Sequence, residues 1–307
     1  MKVLVTGGAG FIGSNLARAL LARGDDVRVL DNFSTGSRGN LAGLEREVEL
    51  VEGDLRSYER VHAAVRGVEV VFHQGALPSV PRSVQDPLTT TAVNVEGTLN
   101  VLLAARDESV RRVVFASSSS VYGERADGPF RETDPVERPV SPYAATKRAG
   151  ELLAHTFHHA WGQSVTCVRI FTAYGPRQRP DLAIRKFADR LLAGKSLPVF
   201  GDGSSQRDFT FIDDLVDGLV RAIDRDLGFA LLNLAGGRTV TVLEVVSALE
   251  RELGISAEID WQPEQTGDVR RTWGDISRAR EALGYDPRVG FEEGLHRFAD
   301  WLREESR

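Results

Sequence analysis

A tyrosine and a lysine in this sequence have the spacing of a general base and its charged neighbour. Tyr143 and Lys147 stand four residues apart in a segment with helical periodicity, so they are predicted to share one face of a helix. A free tyrosine has a pKa of about 10, and lowering that pKa to about 7 requires about 4 kcal/mol of preferential stabilisation of the phenolate. A nearby ammonium group provides part of this stabilisation. We therefore expect Tyr143 to act as a general base at neutral pH.

A run of serines could hold a reacting oxygen. Ser117–Ser120 follows the apolar, β-rich segment Val113–Ala116 and precedes Val121-Tyr122-Gly123. Parallel sheets bind ligands at the carboxyl ends of their strands, so these hydroxyls are expected at a binding site. One of them can hydrogen-bond the oxygen whose proton the base removes.

The N-terminal segment has the pattern of a dinucleotide-binding loop. The strand-like Val3–Val5 leads into the glycine-rich Thr6–Gly13 and then into a helical segment. Glycine permits a tight turn and close approach of the backbone to a pyrophosphate, which the helix N-terminus attracts. Asp31, at the end of the second predicted strand, favours NAD over NADP because a carboxylate accepts hydrogen bonds from ribose hydroxyls and repels a 2′-phosphate. The positive nicotinamide ring is then expected to assist Lys147 in lowering the pKa of Tyr143.

The first half of the chain supplies the elements that must position these residues. Apolar, β-rich runs alternate there with segments of helical spacing, and the runs are Val3–Val5, Val27–Leu30, Val48–Glu52, Val68–His73, Val113–Ala116 and Val165–Phe171. This alternation predicts an α/β protein with a doubly wound parallel sheet, the Rossmann architecture.

The second half is predicted to hold a smaller α/β substrate domain. From Gly175 onward, prolines and the turn-rich residues 201–205 separate shorter elements. We expect residues 1–171 to form the NAD-binding domain and residues 172–307 to form mainly the substrate domain. Residues 208–236 are expected to return to the larger domain, which makes the boundary interleaved.

Composition restricts the possible partners and location. The chain has 307 residues, enough for two hydrophobic cores, and a net charge of −6, which disfavours binding to nucleic acid or anionic membranes. Cys167 is the single cysteine, so an intramolecular disulfide is excluded and a reducing compartment is favoured. No apolar stretch approaches the roughly 18 residues of a membrane span, and the chain begins directly on a strand, so we expect a cytoplasmic protein. His155, His158 and His159 lack suitably spaced carboxylates, so no metal site is predicted.

Taken together, these motifs resemble the extended short-chain dehydrogenase/reductases, and within them the NAD-dependent nucleotide-sugar epimerases and dehydratases. The resemblance covers essentially the whole chain and rests on Thr6–Gly13, Asp31, Asp54-Leu55, His73–Ala76, Ser117–Gly123, Tyr143–Lys147, Arg169–Pro176 and Gly201–Asp214. It implies that Ser118 is the catalytic serine, Tyr143 the base and Lys147 the group that binds the nicotinamide ribose. It also implies a homodimer, paired through the helices at Val93–Ala105 and Ala144–Ala160.

The predicted NAD-binding residues lie at the ends of the predicted strands and on the catalytic helix. They are Gly7, Gly10, Phe11, Ile12, Gly13, Asp31, Asn32, Asp54, Leu55, Gln74, Ala76, Tyr143, Lys147 and Ile170.

The residues before the Val-Tyr-Gly segment indicate the reaction. Sugar-nucleotide 4,6-dehydratases resemble Thr-Asp-Glu there, and the decarboxylases that make UDP-xylose have a glutamate immediately before the valine. This chain has Ser119 and Ser120 instead, so it lacks the acid that elimination or decarboxylation needs. The resemblance therefore implies 4-epimerisation: Tyr143 takes the 4-hydroxyl proton, the C4 hydride passes to NAD, the 4-keto sugar rotates, and the hydride returns to the opposite face. Because the cofactor is regenerated, tight retention of NAD is expected.

The substrate is predicted to be UDP-glucuronate, converted to UDP-galacturonate. Thr172 and the Arg-Pro-Asp at Arg179–Asp181 are similar to UDP-glucuronate 4-epimerases, whereas UDP-galactose epimerases commonly have asparagine at the position of Thr172. A carboxylate at C5 is best held by hydroxyl or cationic donors. Ser119, Ser120, Thr172 and Arg179 could provide them.

Other activities remain open. Ser79–Ser83 and Gly267–Arg270 resemble epimerases of UDP-N-acetylhexosamines, and Thr272 falls where a bulky side chain excludes the N-acetyl group in stricter enzymes. UDP-glucose/UDP-galactose epimerisation is a further alternative. A 4-keto-sugar reductase and a non-catalytic NAD-sensing protein are less favoured, because Asp31 disfavours NADPH and sensing proteins usually lack the Tyr/Lys pair.

The nucleotide is expected to bind to the smaller domain. Arg207 matches a diphosphate-binding arginine of the family, Arg270 is a second candidate, and Phe200 is placed to stack on the uracil. The complete set of predicted substrate-binding residues is Ser79, Ser119, Ser120, Thr172, Arg179, Phe200, Arg207 and Arg270.

Overall fold

A computed structural model describes residues 1–124, 128–264 and 270–305. Its strands are β1 (Lys2–Thr6), β2 (Asp26–Asp31), β3 (Val48–Glu52), β4 (Val70–His73), β5 (Arg112–Ser118), β6 (Val165–Ile170), β7 (Thr172–Tyr174), β8 (Leu197–Phe200), β9 (Gln206–Phe211), β10 (Phe229–Leu234), β11 (Thr239–Thr241) and β12 (Ile259–Gln262).

The helices alternate with the strands through most of the chain. They are α1 (Phe11–Ala22), α2 (Tyr58–Val65), α3 (Val80–Gln85), α4 (Pro87–Thr91), α5 (Gly97–Asp107), α6 (Pro142–Trp161), α7 (Ala183–Leu192), α8 (Ile212–Asp224), α9 (Val242–Leu253), α10 (Ser277–Leu283) and α11 (Phe291–Glu305). A π-helical turn, Ala92–Glu96, joins α4 to α5, and short 3-10 helices span Arg38–Leu41 and Ser119–Tyr122. Within the described ranges, no helix is both long enough and apolar enough to cross a membrane.

The large sheet is parallel, with the strand order β10-β6-β5-β4-β1-β2-β3 among the described residues. Successive side chains of its central strand β1 point to opposite faces, as a period of two requires. Val3 and Val5 are buried in one hydrophobic core with helices α1 and α8, whereas Leu4 is buried in a second core with helices α2, α5 and α6. The sheet is therefore covered on both faces, and the predicted Rossmann architecture is confirmed.

The strand order reverses between β1 and β4, which lie side by side although β2 and β3 separate them in the chain. The chain segments that leave the two strands at such a reversal run over opposite faces of the sheet. This leaves a crevice at the carboxyl ends of the strands. Thr6 and His73 end the two strands at this crevice.

Small sheets form the other part of the fold. Strands β11, β9 and β7 make one sheet and β12 and β8 make another. The predicted strand Val165–Phe171 ends earlier than expected, at Ile170, because the chain then leaves the large sheet and pairs Thr172 with Phe209 in the small one. β7 therefore brings the residues after Ile170 directly from one sheet to the other.

The chain returns to the large sheet through α8 and β10. Leu231 of β10 is paired with Cys167 of β6, and α8 contacts α1. Since β9 belongs to the small sheet, we propose that the return begins at Ile212 rather than at residue 208, and we retain the other expected domain limits as a proposal.

Candidate active site

The N-terminus of α6 places the tyrosine and the lysine. Ser141 caps this helix by accepting a hydrogen bond from the Ala144 N–H at 3.1 Å, and Pro142 occupies its first position. Tyr143 therefore lies in the first turn, at the mouth of the crevice, and Lys147 lies one turn further on. The Lys147 Nζ donates a hydrogen bond to the Ala116 carbonyl at 2.7 Å, which ties α6 to the end of β5.

The serine run turns sharply at the end of β5. The Ser118 hydroxyl accepts a hydrogen bond from the Ser120 N–H at 3.2 Å and starts the 3-10 helix. It also acts to lower the pKa of the Tyr143 phenol. The Ser120 Oγ is buried and has no hydrogen-bond partner in the described part of the chain, although it borders the crevice.

Desolvation opposes the ionisation of Tyr143 in the structure. Burial raises the pKa of Tyr143, and the opposing effects of the Ser118 hydrogen bond and the Arg179 charge are smaller. Burial also lowers the pKa of Lys147 to about 8. The Lys147 Nζ is 6.0 Å from the centre of the Tyr143 ring and donates to the Ala116 carbonyl, so a lowered tyrosine pKa in the NAD-loaded enzyme stays a prediction.

The glycine loop leaves no room for side chains. Gly7 has a φ of +66°, and a Cβ on it would lie 2.7 Å from the Gly75 Cα. A Cβ on Gly13 would lie 2.2 Å from the Gly7 carbonyl oxygen. The loop, the start of α1 and the end of β4 thus form a close-fitting backbone surface, which is what a pyrophosphate requires.

The acid at the end of β2 is held by backbone donors. Asp31 accepts hydrogen bonds from the Ala9 N–H at 2.9 Å and the Phe33 N–H at 2.8 Å. Burial nevertheless raises the pKa of Asp31. Each oxygen accepts one of these bonds and retains a second lone pair, which can accept a ribose hydroxyl.

A second acid lies beyond β3. Asp54 pairs with Arg56 at 2.8 Å and accepts a hydrogen bond from the Asn32 side chain at 3.0 Å. The hydrogen bonds from Arg56 are the main reason that the pKa of Asp54 is lowered to about 2.

All of the residues predicted to bind NAD line one cleft of about 410 Å³. They are Gly7, Gly10, Phe11, Ile12, Gly13, Asp31, Asn32, Asp54, Leu55, Gln74, Ala76, Tyr143, Lys147 and Ile170. The predicted catalytic Ser118 lines the same cleft. The buried Gln74 Nε2 has no hydrogen-bond partner among the described residues, so the cleft offers a donor as well as a glycine surface and an acid. These residues fit an adenine dinucleotide.

The predicted substrate-binding residues are divided among several cavities. Ser119, Ser120 and Thr172 line the main cleft. Ser79 and Arg179 line an adjoining cavity of about 280 Å³ that shares Thr35 and Pro78 with the cleft.

The predicted nucleotide-binding residues lie outside the main cleft. Phe200 and Arg270 line a separate cavity of about 100 Å³, where Arg270 forms an ion pair with Glu264 at 2.9 Å. The Arg207 Nη1 donates to the Gln206 carbonyl at 2.9 Å. Gly267–Val269, the rest of the motif that ends at Arg270, lie outside the described residues.

Asn94, in the π-helical turn, is a positioning residue that sequence reasoning missed. Its side chain accepts a hydrogen bond from the Leu77 N–H at 2.7 Å and donates to the Thr146 hydroxyl at 3.0 Å. Thr146 stands between Tyr143 and Lys147, so Asn94 links the cleft wall to the catalytic helix. A buried polar residue within an apolar helical pattern was the available signal.

His73 supports the glycine loop, a structural role that sequence reasoning also missed. Its ring nitrogens hydrogen-bond Thr6 at 2.8 Å and Thr98 at 3.0 Å. Burial lowers the pKa of His73 to about 3, so the ring is neutral near pH 7. The Thr6 hydroxyl accepts a hydrogen bond from the Gly75 N–H at 3.1 Å, and this fixes the loop that follows β4.

The fold and the cleft are those of a dinucleotide-binding enzyme, and Ser118, Tyr143 and Lys147 line the cleft. Residues 3–235 match the model of the NAD dependent epimerase/dehydratase family. The chain belongs to this family, and NAD is its cofactor.

Similar proteins of known activity resemble the chain over its whole length. It is 39% identical to the UDP-glucose 4-epimerase of Mycolicibacterium smegmatis, with 100% of both chains covered. It is 35% identical to the UDP-glucuronate 4-epimerase of Thermodesulfobacterium geofontis, with 98% of this chain and 96% of the relative covered.

A solved structure extends this likeness to the fold. The UDP-glucuronic acid 4-epimerase of Bacillus cereus, in complex with UDP-glucuronic acid and NAD, has a TM-score of 0.93 and 34% identity, with 99% of this chain and 100% of that chain covered. The enzyme class is therefore that of the NAD-dependent UDP-sugar 4-epimerases, as the sequence predicted.

Proposed function

We propose that this enzyme interconverts UDP-glucuronate and UDP-galacturonate. The observation that carries the proposal is the buried Ser120 hydroxyl, which has no hydrogen-bond partner among the residues that the structure describes and lines the cleft together with Ser119 and Thr172. A buried hydroxyl without a partner costs about 1–3 kcal/mol, and a carboxylate on the sugar supplies the strong acceptor it lacks. A 6-hydroxymethyl group is a weaker acceptor.

Arg179 supports the same substrate. Its charge acts to lower the pKa of Tyr143, so it is close to the reacting end of the cleft. Asp181 holds the Nε and Nη2 atoms of Arg179 at 2.9 Å each, which leaves the Nη1 edge to meet an anionic sugar. We assign Arg179, with Ser79 in the same adjoining cavity, to the substrate.

In the proposed mechanism, Ser118 and Tyr143 act on the 4-hydroxyl. Ser118 hydrogen-bonds the oxygen, and Tyr143 removes its proton in the forward step and returns a proton to it at the end. NAD, when bound, would supply the hydride acceptor for C4 and a positive charge near Tyr143. Lys147 is assigned to the nicotinamide ribose, and its contact with Ala116 fixes its position.

The remaining assignments concern the two nucleotides. We assign the backbone surface of Gly7–Gly13 to the NAD pyrophosphate, Asp31 to the adenosine ribose and Asp54 to the adenine. Arg207 and Arg270 are proposed to hold the UDP diphosphate, and Phe200, whose side chain is 40% exposed, to stack on the uracil. Glu264 pairs with the Nη2 of Arg270, and the other N–H groups of this exposed guanidinium can meet the diphosphate.

We also propose that the enzyme is a homodimer. Large apolar side chains are exposed on α3, α4 and α6: Val84 is 63% exposed, Leu88 84% and Leu152 53%. These helices contact one another, so the side chains belong to one region of the surface. A second copy of the chain covers them.

The test is to incubate the NAD-loaded enzyme separately with UDP-glucuronate, UDP-glucose and UDP-N-acetylglucosamine and to separate the 4-epimers by chromatography. We expect UDP-galacturonate to form fastest. If the enzyme converts UDP-glucose and leaves UDP-glucuronate unchanged, the uronate assignment is contradicted. If it prefers UDP-N-acetylglucosamine, the alternative of a UDP-N-acetylhexosamine 4-epimerase is favoured.

A matched variant sharpens the test. In Thr172→Asn, an amide replaces a hydroxyl at the cleft, and we expect the ratio of kcat/KM for UDP-glucuronate over UDP-glucose to fall about 10-fold, equivalent to the loss of one good hydrogen bond. An unchanged ratio shows that Thr172 does not discriminate between substituents at C5 of the sugar. Thr239→Asn, on a small sheet outside the main cleft, serves as the control.

A further inference from the structure

The face of α6 that carries Tyr143 and Lys147 has a third polar member, Glu151. It lies one helical turn beyond Lys147, just as Lys147 lies one turn beyond Tyr143. Its Oε1 accepts a hydrogen bond from the Ser117 hydroxyl at 2.6 Å. Ser117 immediately precedes Ser118 in β5, so Glu151 holds the strand next to the point where Ser118 meets Tyr143.

Arg169 fixes the other side of Glu151. Its Nε and Nη2 donate to the two carboxylate oxygens at 2.8 and 2.9 Å, and the side chains of the pair are 1% and 0% exposed. Arg148 donates a further hydrogen bond at 3.0 Å. The Arg169 guanidinium also lies over the Tyr122 ring, 4.7 Å from its centre. The carboxylate is therefore held rigidly between β5, β6 and α6.

Stability alone is a poor explanation for this arrangement. The desolvation of two buried charges offsets most of their attraction, and an apolar pair of similar volume is often equally stable or more stable. What apolar side chains do not provide is direction. The planar Arg169 guanidinium fixes the orientation of the Glu151 carboxylate. The carboxylate oxygen Oε1, which accepts from the Arg169 Nε, then has a second lone pair that fixes the Ser117 hydroxyl.

We propose that Glu151, oriented by Arg169, is a positioning residue that sets the distance between Ser118 and Tyr143 by holding Ser117. The inference rests on the proposed function, because it concerns the rate of that reaction. A displacement of about 1 Å in a reacting geometry can cost about 100-fold in rate. The pair should therefore affect kcat much more than KM.

The first test removes only the Ser117 hydroxyl. In Ser117→Ala the ion pair stays intact, and we expect kcat to fall about 10-fold, with KM and bound NAD within about 2-fold of the unmodified enzyme. Unchanged kcat overturns the role given to Ser117.

The second test replaces the buried pair with apolar residues. The Glu151→Leu/Arg169→Met double variant avoids the uncompensated charge that either single change would leave, so it is expected to fold and to bind NAD. We expect kcat to fall about 100-fold with little change in KM. The control is Arg251→Met/Glu292→Leu, which removes an exposed ion pair between α9 and α11 and should leave kcat unchanged.

A readout without a sugar separates this inference from the proposed function. Tyr143 can be titrated by ultraviolet absorbance. The absorbance of each NAD-loaded variant is measured against pH, and that of the same variant carrying Tyr143→Phe is subtracted. Ser118 acts to lower the pKa of Tyr143, so loss of positioning should raise that pKa in the double variant. A folded double variant with normal kcat and an unshifted Tyr143 overturns the inference. A shifted Tyr143 in an enzyme inactive on every UDP-sugar overturns the proposed function only.

Discussion

At the scale of single residues, burial decides the chemistry of the site. Tyr143 has a raised pKa and Lys147 a lowered one for the same reason, because desolvation disfavours the charged form of each. The spacing of the two residues indicated a base, but it did not indicate that the protein leaves the phenol protonated. We therefore propose that bound NAD contributes to the ionisation of Tyr143.

The role of Tyr143 leads to the first prediction. In Tyr143→Phe the ring that contacts its surroundings is retained and the proton acceptor is lost, so kcat should fall about 1,000-fold. NAD should still bind, which can be measured from the cofactor released on denaturation. Residual activity above a tenth of the original rate, with NAD retained, contradicts a general-base role.

His73 leads to a prediction about pH. Its pKa is lowered to about 3 in the folded protein, whereas the unfolded chain titrates near its ordinary value of about 6.5. The unfolded state therefore binds more protons below about pH 6.5, and folding stability falls as the pH falls through that range. Between pH 7 and pH 5 this residue should account for a loss of about 2 kcal/mol.

The variant His73→Gln keeps hydrogen-bonding atoms near Thr6 and Thr98 without a titrating ring. Urea unfolding at pH 7 and pH 5 should show a drop that is about 2 kcal/mol smaller in the variant than in the unmodified protein. Equal drops in both proteins assign the acid sensitivity to other groups.

At the scale of elements, the site is made where strands end and helices begin. β1 leads through the glycine loop into α1, β5 leads into the serine turn, and Ser141 starts α6. Each junction is encoded locally by glycine, serine or proline. How tightly the junctions fit against each other is a tertiary property, as the contact between Gly7 and the Gly75 backbone shows.

Gly13→Ala tests this fit. The added Cβ would lie 2.2 Å from the Gly7 carbonyl oxygen, which is backbone and cannot move aside cheaply. We expect the free energy of unfolding to fall by about 1–3 kcal/mol and bound NAD to be largely lost. Gly39→Ala is the control, because its Cβ would meet only the Ser37 side chain, at 3.4 Å. Full NAD occupancy in Gly13→Ala contradicts the assigned pyrophosphate surface.

At the scale of the whole molecule, β7 and β10 connect the two parts of the fold. The step from Ile170 to Thr172 moves the chain from the large sheet into the small one, and it places both residues on the wall of one cleft. The residue assigned to the cofactor and the residue assigned to the sugar are thus separated by Phe171 alone.

The proposed homodimer gives the last prediction. Sedimentation at micromolar concentration should show a dimer, and Leu152→Glu should shift it to monomer because it places a charge in an apolar interface. Leu192→Glu, an equally drastic change at a side chain that is 50% exposed on α7, should remain dimeric. Monomeric unmodified protein contradicts the proposal.

The sequence by itself determined the class of fold, and the residues that it predicted for NAD binding all line the main cleft. Alternating strands and helices, the glycine loop, Asp31 and the Tyr143–Lys147 spacing are local patterns. These patterns have three physical causes: the periodicity of apolar residues, the conformational freedom of glycine, and side-chain charge. Each of these acts within a few residues of the chain. The limits of the smaller elements were less predictable, because short strands such as β7 form only when a partner from elsewhere in the chain pairs with them.

The tertiary structure decided the properties that depend on distant neighbours. It placed the half-buried Tyr143 where desolvation raises its pKa, and it left the Ser120 hydroxyl without a partner in the described residues. It also joined Glu151 to Arg169 and to Ser117, and Asn94 to Leu77. These contacts join residues that are 17 to 34 positions apart in the chain. Burial and hydrogen-bond satisfaction are properties of the packed molecule, so no local pattern could specify them.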